Sequence, residues 1–498
     1  MNIQEAKNEI KNTVKAYLAK DETGSYQMSS INQRPILLMG PPGIGKTQIM
    51  EQIARECQIG LVAYTITHHT RQSAVGLPYI EKETYEGHTY SITKYTMSEI
   101  IAGIYQKMKQ TGCKEGILFI DEINCVSETL APTMLQFLQY KTFGGHKIPK
   151  GWIITAAGNP PEYNKSVHDF DMVTLDRLRY INLEPDFSVW KTYAKTSNIH
   201  RSIISYLELR PNNFYRVEND IDELQYVTAR GWEDLSNLIQ TYESLNIPIK
   251  EEIFHEFIHH EDIAEDVSVF YDLYHKYQDD YRISDILAGK IYPDIFARIE
   301  QASFDERLCV VNQLSDGLAQ RLHLAAQEKE LTDLWYQFLK DFHNQLSISN
   351  EPSLCYSSLV KSLEDEFKQK ELGNQYTKEQ LQNYKRLIIQ LKSTPPEKNQ
   401  NPQETFEYEK NYFHIQLEKL EQTELTTESS LEQAFNFMEQ AFTGSQEMVV
   451  FMTDLTLNRE AAVFLSQHPC QRYTKYTEQL LIGTRKEQLL SELVRDAK

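Results

Sequence analysis

Cysteine is scarce in this chain. Six occur among 498 residues, at Cys57, Cys113, Cys125, Cys309, Cys355 and Cys470, and no two share a short paired spacing. A disulfide scaffold or a thiolate zinc site needs clustered cysteines, so the scatter predicts reduced, buried thiols in a cytoplasmic protein. Long apolar runs are missing too. Nothing approaches the roughly 20 residues that a helix needs to cross a bilayer, so no membrane span is expected. The opening MNIQEAKNEIKNTVKAYL is an amphipathic pattern of mixed charge, unlike a signal peptide. Positive charge is short as well, with 51 Lys and Arg against 71 Asp and Glu and a formal net charge of −20. The deficit sits in one half: residues 1–250 hold 26 basic and 28 acidic residues, and residues 251–498 hold 25 and 43. An acidic surface repels phosphate backbones, which speaks against a nucleic-acid partner and favours basic protein surfaces. No internal repeat of fixed period is visible.

What the chain does contain is phosphate chemistry. GPPGIGKT comprises Gly40, Pro41, Pro42, Gly43, Ile44, Gly45, Lys46 and Thr47 and fits the pattern G-x-x-x-x-G-K-[ST]. It follows the apolar stretch 35–39 and precedes TQIMEQIARE, which reads as a helix, so the strand–loop–helix context is present. Backbone N–H groups of such a loop point at phosphate oxygens, and the helix N-terminus adds partial positive charge. Lys46 is expected on the β- and γ-phosphates, and Thr47 on Mg²⁺ through its hydroxyl. ILFIDEIN then gives an apolar strand ending in Asp121-Glu122. Asp121 is placed to hold Mg²⁺ through water, and Glu122 to polarise the water that attacks the γ-phosphate. GWIITAAGNPP reads as a further buried strand ending in Asn159, a side chain able to orient that water. TLDRLRYINL and VTARGWEDL each offer arginines near a helix, the side chain expected where spread phosphate charge must be met by a planar cation.

The ordered set GPPGIGKT, FIDEIN, AAGNPP, LDR and TARGW resembles the AAA+ ATPases, and among them the MoxR-like branch. The resemblance covers about the first half of the chain. It implies ATP and Mg²⁺ as cofactors, Asn159 as sensor 1, Arg177 as the arginine finger that reaches a neighbouring subunit, and Arg230 as sensor 2 on a helical lid. Arg179 is a rival for the finger, since LDRLR offers both. The resemblance further implies a homo-oligomer, a hexamer in the family's usual form, and remodelling of a client protein. Such ATPases often act beside a protein with a von Willebrand factor A domain. Residues 140–152 resemble the hairpin placed before sensor 1, and residues 70–101 an inserted hairpin leading into a helix. Two other classes use the same motifs: a nucleotide-switched assembly scaffold and a nucleic-acid-dependent AAA+ motor.

The fold expected is an α/β P-loop core with a parallel five-stranded sheet, a helical lid and a mostly α-helical C-terminal extension. Strands are expected near 36–39, 61–65, 117–120, 152–157 and 180–183, alternating with helices as a parallel sheet requires. Domains are expected at 1–186 for the nucleotide-binding core, 187–265 for the lid, 266–395 for a helical extension and 396–498 for a C-terminal helical region. Leu308, Val311, Leu314, Leu318, Leu322 and Ala325 step by three and four along one helical face. Leu431, Ala434, Phe435, Met438, Ala441 and Phe442 do the same, and both stripes are expected in a helical core. STPPEKNQNPQ at 393–403 reads as an exposed break. One motif is set aside: His255, Glu256 and His259 match H-E-x-x-H, but they fall where a lid helix should end and no third ligand is evident.

Overall fold

The computed structural model describes residues 1–68, 74–127, 129–143, 145–163, 167, 170–197, 199–219, 224–346, 351–373, 376–396 and 401–479. In chain order its strands are β1 (Ile36–Met39), β2 (Gly60–Thr65), β3 (Pro78–Tyr85), β4 (His88–Tyr95), β5 (Gly116–Asp121), β6 (Thr142–Phe143), β7 (His146–Lys147), β8 (Trp152–Gly158), β9 (Arg179–Asn182), β10 (Arg216–Asn219) and β11 (Leu224–Val227). Five of these form one parallel sheet in the order β2-β5-β8-β1-β9. The chain is thus an α/β P-loop core followed by a mostly helical C-terminal region, as expected.

The sheet is parallel because its strands are apolar on both faces and must be covered on both. Along β1, β5 and β8 the residues alternate between two cores. Leu37, Leu118, Ile120 and Ile154 face one, with helices Glu99–Thr111 and Ala131–Tyr140 supplying Ile100, Ile104, Met134 and Phe137. Ile36, Leu38, Ile117, Phe119 and Ile153 face the other, against helices Ile3–Leu18 and Lys46–Glu56. Each fully buried aliphatic side chain contributes roughly 1.5–3 kcal/mol, so the sheet is where the core is anchored. Local signals set the helix ends. Asn2 and Glu5 form a reciprocal capping box at the first helix, and Asn401 and Glu404 repeat it before Pro402–Phe442.

Two hairpins stand where the sequence places them. β3 and β4 pair antiparallel from Pro78–Tyr95 to Tyr85–His88 and lead into the helix Glu99–Thr111. β6 and β7 pair between the helix Ala131–Tyr140 and β8. Residues 70–73 of the expected insertion, Gly144 of the second hairpin and 397–400 of the polar break lie outside the described residues. One hairpin has no counterpart in the expectations. β10 and β11 pair with Arg216 opposite Val227, in a stretch read as purely helical. Four-residue strands show too little alternation to stand out from helical periodicity.

The chain divides into two compact units. One consists of Met1–Tyr193, Phe214–Asp234 and Asp365–Lys378, the other of Ala194–Asn213, Leu235–Glu364 and Glu379–Lys498. The second is helical throughout its described residues, and its main core joins both apolar stripes. Val311, Leu314, Leu318, Leu322 and Ala325 of helix Phe304–Leu346 meet Leu431, Ala434, Phe435 and Met438 of helix Pro402–Phe442. Among the described residues no helix is long and apolar enough to cross a membrane. None of the six cysteines forms a disulfide; Cys309, Cys355 and Cys470 are buried as expected, whereas Cys57, Cys113 and Cys125 are only partly so.

Candidate active site

Parallel α/β sheets collect ligands at the carboxyl ends of their strands, and the candidate residues gather there. The loop Gly40–Thr47 leaves the end of β1 and enters helix Lys46–Glu56. Gly43 has φ +75°, and a Cβ there would stand 2.9 Å from the Cβ of Thr228, so only glycine fits the turn. The loop is pinned from outside by the hydroxyl of Tyr215, which donates to the carbonyl of Pro42 at 2.9 Å. The backbone N–H of Arg230 donates to the carbonyl of Gly43 at 3.1 Å.

Lys46 is buried at the centre of this loop. Its ammonium donates to the carbonyls of Gly40 and Pro41 and to Oδ1 of Asn159, each at 2.8 Å. Burial pushes its pKa down to about 8; the charge of Asp121 opposes that shift and the charge of Arg230 adds to it. Phosphate oxygens entering the loop would satisfy the same three hydrogens and restore full charge to the amine. Thr47 Oγ1 donates to Oδ2 of Asp121 at 2.8 Å, while Oδ1 of Asp121 accepts the N–H of Glu122 at 2.9 Å. A hydroxyl and a carboxylate side by side are hard oxygen donors, the set that suits Mg²⁺.

Glu122 lies in the left-handed region, with φ 56° and ψ 35°, as the chain leaves β5 for the turn Ile123–Cys125. That conformation costs a non-glycine residue on the order of 1 kcal/mol and marks a residue held for its position. Its Oε2 accepts a hydrogen bond from Thr67 Oγ1 at 2.9 Å. Thr65 of β2 pairs with Asp121 of β5, so the residues just past both strands come together.

Asn159, at the end of β8, is fixed from behind. Asn124, almost wholly buried, donates through Nδ2 to the carbonyl of Asn159 at 2.7 Å and accepts its N–H through Oδ1 at 3.3 Å. A Cβ on Gly158 would come within 2.5 Å of that Oδ1, so glycine there permits the clamp. The backbone is held while the side chain of Asn159 reaches Lys46.

The two rival arginines differ in what they touch. Arg179, on β9, forms an ion pair with Glu9 and donates to Thr13 Oγ1 at 2.6 Å. Arg177 follows the helix Met172–Leu175 and is exposed; its charge lowers the pKa of Asp171, after the hydrogen bonds from Thr174. Among the described residues no bond links Arg177 to the loop. The structure therefore brings together Gly40–Thr47, Asp121, Glu122, Asn159 and the backbone of Arg230, and leaves Arg177 facing outward.

Several residues of this site were not anticipated: Thr67, Asn124, Tyr215 and Thr228. Thr67 had a signal, since it follows the strand that neighbours Asp121-Glu122. Tyr215 had none. The motif set aside stays apart from any metal geometry: helix Glu251–Phe257 ends before His259, so His255 and His259 do not share a helical face.

A family model described as ATPase family associated with various cellular activities (AAA) matches residues 36–167, the span from β1 past the end of β8. No curated protein matches the chain. The match and the strand order together support an AAA+ ATPase built on a P-loop core.

Proposed function

We propose that this chain is a ring-forming ATPase of the MoxR-like kind that spends ATP hydrolysis on remodelling or activating a partner protein. The observation that carries the reading is the convergence of Lys46, Thr47, Asp121, Glu122 and Asn159 at the carboxyl ends of β1, β5 and β8.

The loop Gly40–Thr47 binds the ATP phosphates through its N–H groups, and Lys46 neutralises the β- and γ-oxygens. Thr47 and Asp121 would hold Mg²⁺, which when bound neutralises charge that develops on the phosphates. Glu122 accepts a proton from the attacking water, and Asn159, clamped by Asn124, orients that water. Arg230 adds positive charge from the helical segment that closes the loop. The exposed Arg177 serves a neighbouring protomer, which is the physical reason for a homo-oligomer, a hexamer by the family's habit. Exposed Tyr79, Ile80, Tyr85 and Tyr90 on the hairpin β3–β4 offer apolar contact to a client, such as a von Willebrand factor A domain protein. The formal charge of −20 disfavours a nucleic-acid track, and cysteines that form no disulfide fit the cytoplasm.

The test is a Glu122→Gln chain held in excess ATP and used to capture bound partners. A specific protein that stays bound in ATP and leaves in ADP supports remodelling. Polynucleotide in the captured fraction, with turnover stimulated by it, replaces that reading with a nucleic-acid motor. An assembled chain that keeps its full cellular activity without hydrolysis replaces it with a scaffold.

A further inference from the structure

Three side chains far apart in sequence meet in the helical unit: His200, Glu243 and His275. His200 caps the start of helix Arg201–Leu209, Glu243 lies in the last turn of helix Ala229–Ser244, and His275 lies within helix Glu261–Tyr281. Oε2 of Glu243 is 3.2 Å from Nε2 of His200, and Oε1 of Glu243 is 3.2 Å from Nε2 of His275. One ligand atom from each residue falls within 4.8 Å of the other two.

We infer that His200, Glu243 and His275 bind a divalent transition metal, Zn²⁺ by choice, through two imidazole nitrogens and one carboxylate. Zinc holds nitrogen and oxygen ligands at about 2.0–2.2 Å, which separates neighbouring ligand atoms in a tetrahedral site by about 3.3 Å. Each observed separation is close to that edge, one to each oxygen of Glu243. Nε2 of His275 is buried 3.2 Å from Oε1 of Glu243, without the geometry of a well-directed hydrogen bond to it. A metal ion among the three ligand atoms would engage that nitrogen directly.

The surroundings hold the ligands as a metal site needs. Tyr271 donates its hydroxyl hydrogen to Oε1 of Glu243 at 2.9 Å, and its ring stands edge-on to His275 with centroids 4.4 Å apart. Nδ1 of His200 lies 2.7 Å from Ser202 Oγ and accepts the N–H of Ser202 at 3.3 Å; metal binding at Nε2 requires Nδ1 to carry the proton and donate it to Ser202 Oγ in place of that cap bond. Among the described residues no lysine or arginine pairs with Glu243; its charge is met by the two histidines and Tyr271. Nitrogen-rich donors exclude Mg²⁺ and Ca²⁺, which prefer oxygen, so the site would not compete with the phosphate loop for its ion. Three protein ligands leave a fourth position for water, and His275 is partly exposed, with 37% of its side-chain surface accessible, which gives the ion a way in. Bound there, the ion ties three helical segments together.

The experiment uses the full chain, stripped with chelator and titrated with Zn²⁺ against a chromophoric competitor. One Zn²⁺ per chain should bind, and its addition should raise the melting temperature. His275→Ala and Glu243→Gln should abolish that binding, and Tyr271→Phe should weaken it by about 10- to 100-fold. His255→Ala should leave it unchanged. Should His275→Ala not fold, His275→Gln and the visible spectrum of the Co²⁺-substituted parent chain replace it, with tetrahedral absorption expected. No bound Zn²⁺, or Zn²⁺ retained by the folded His275 variants, overturns the inference.

Discussion

Thr67 Oγ1 donates its hydrogen to Oε2 of Glu122 at 2.9 Å, so the residue cast as general base is itself held by a donor. A hydrogen bond from a fixed donor restrains the direction of the carboxylate. Replacing Thr67 by Val keeps the shape and removes the donor. Basal ATP turnover of Thr67→Val should therefore fall several-fold while nucleotide affinity stays at the parent's value. An unchanged or raised kcat would mean instead that the bond holds Glu122 away from the water. Phosphate release at saturating ATP separates the two.

Lys46 gives a proton-linkage prediction. Burial lowers its pKa to about 8, so about half the free enzyme carries a neutral amine at that pH. Bound phosphate raises the pKa again, because the charged form now has an anionic partner. ATP binding should take up about 0.5 proton at pH 8 and close to none well below that pH. Calorimetry in buffers of different ionisation enthalpy reads this directly. In Lys46→Arg the guanidinium stays charged throughout, and the uptake should vanish even where binding persists.

The contrast between Arg177 and Arg179 leads to a complementation test. Arginines acting across an interface are worth on the order of 10³ to 10⁵ in rate, so Arg177→Ala should be nearly inactive. Mixed with a Lys46→Ala chain it should regain turnover, since some interfaces then unite an intact loop with an intact arginine. Arg179 is committed to Glu9 and Thr13 within its own chain. Arg179→Ala should leave turnover near the parent's and cost less than about 1 kcal/mol of stability, because the ion pair is partly exposed. No recovery in confirmed mixed assemblies, or inactivity confined to Arg179→Ala, would reverse the assignment.

A fourth prediction concerns the helical unit. Glu409 is fully buried in helix Pro402–Phe442, and burial raises its pKa to about 8, opposed only in part by the Tyr356 hydroxyl. The folded state therefore holds a proton that the unfolded chain releases near pH 4.3. Between that value and about pH 8 this group makes stability fall as pH rises, by up to about 1.4 kcal/mol per unit; above pH 8 its cost is constant. Glu409→Gln should remove this slope and melt higher than the parent at pH 8. Parallel pH–melting curves for parent and variant would count against the raised pKa.

The five strands of the sheet and the motifs of the phosphate loop are legible in the sequence because the residues there are constrained by chemistry. Only glycine turns as tightly as Gly43 must beside Thr228, and only a buried apolar run such as β8 survives between two strands. The same holds for most of the two helical stripes: Val311, Leu314, Leu318, Leu322 and Ala325 are all in the core, while Leu308, which the period also selects, is only partly buried. What could not be read arises from single side chains brought together by register or packing. Thr67 reaches Glu122 through the pairing of β2 with β5, and nothing in its own neighbourhood marks it. His200 and Glu243 are 43 residues apart on separate elements, whereas His255 and His259 look like ligands in one dimension and part company at a helix end. What sets Arg179 apart from Arg177 is its ion pair with Glu9, a residue of the first helix that no local pattern connects to either.

The unit that carries the phosphate loop includes Asp365–Lys378, and Lys107 donates to the carbonyl of Leu372 at 2.7 Å. A ribosome must therefore release most of the chain before this unit has all its parts, although its catalytic motifs emerge early. Nascent chains that end between the loop and that late segment would expose an unfinished surface, a natural point for chaperone capture. For laboratory work the same threading sets the cloning boundary. An expression fragment that stops soon after Arg230 would carry every catalytic motif and still lack a piece of its own fold.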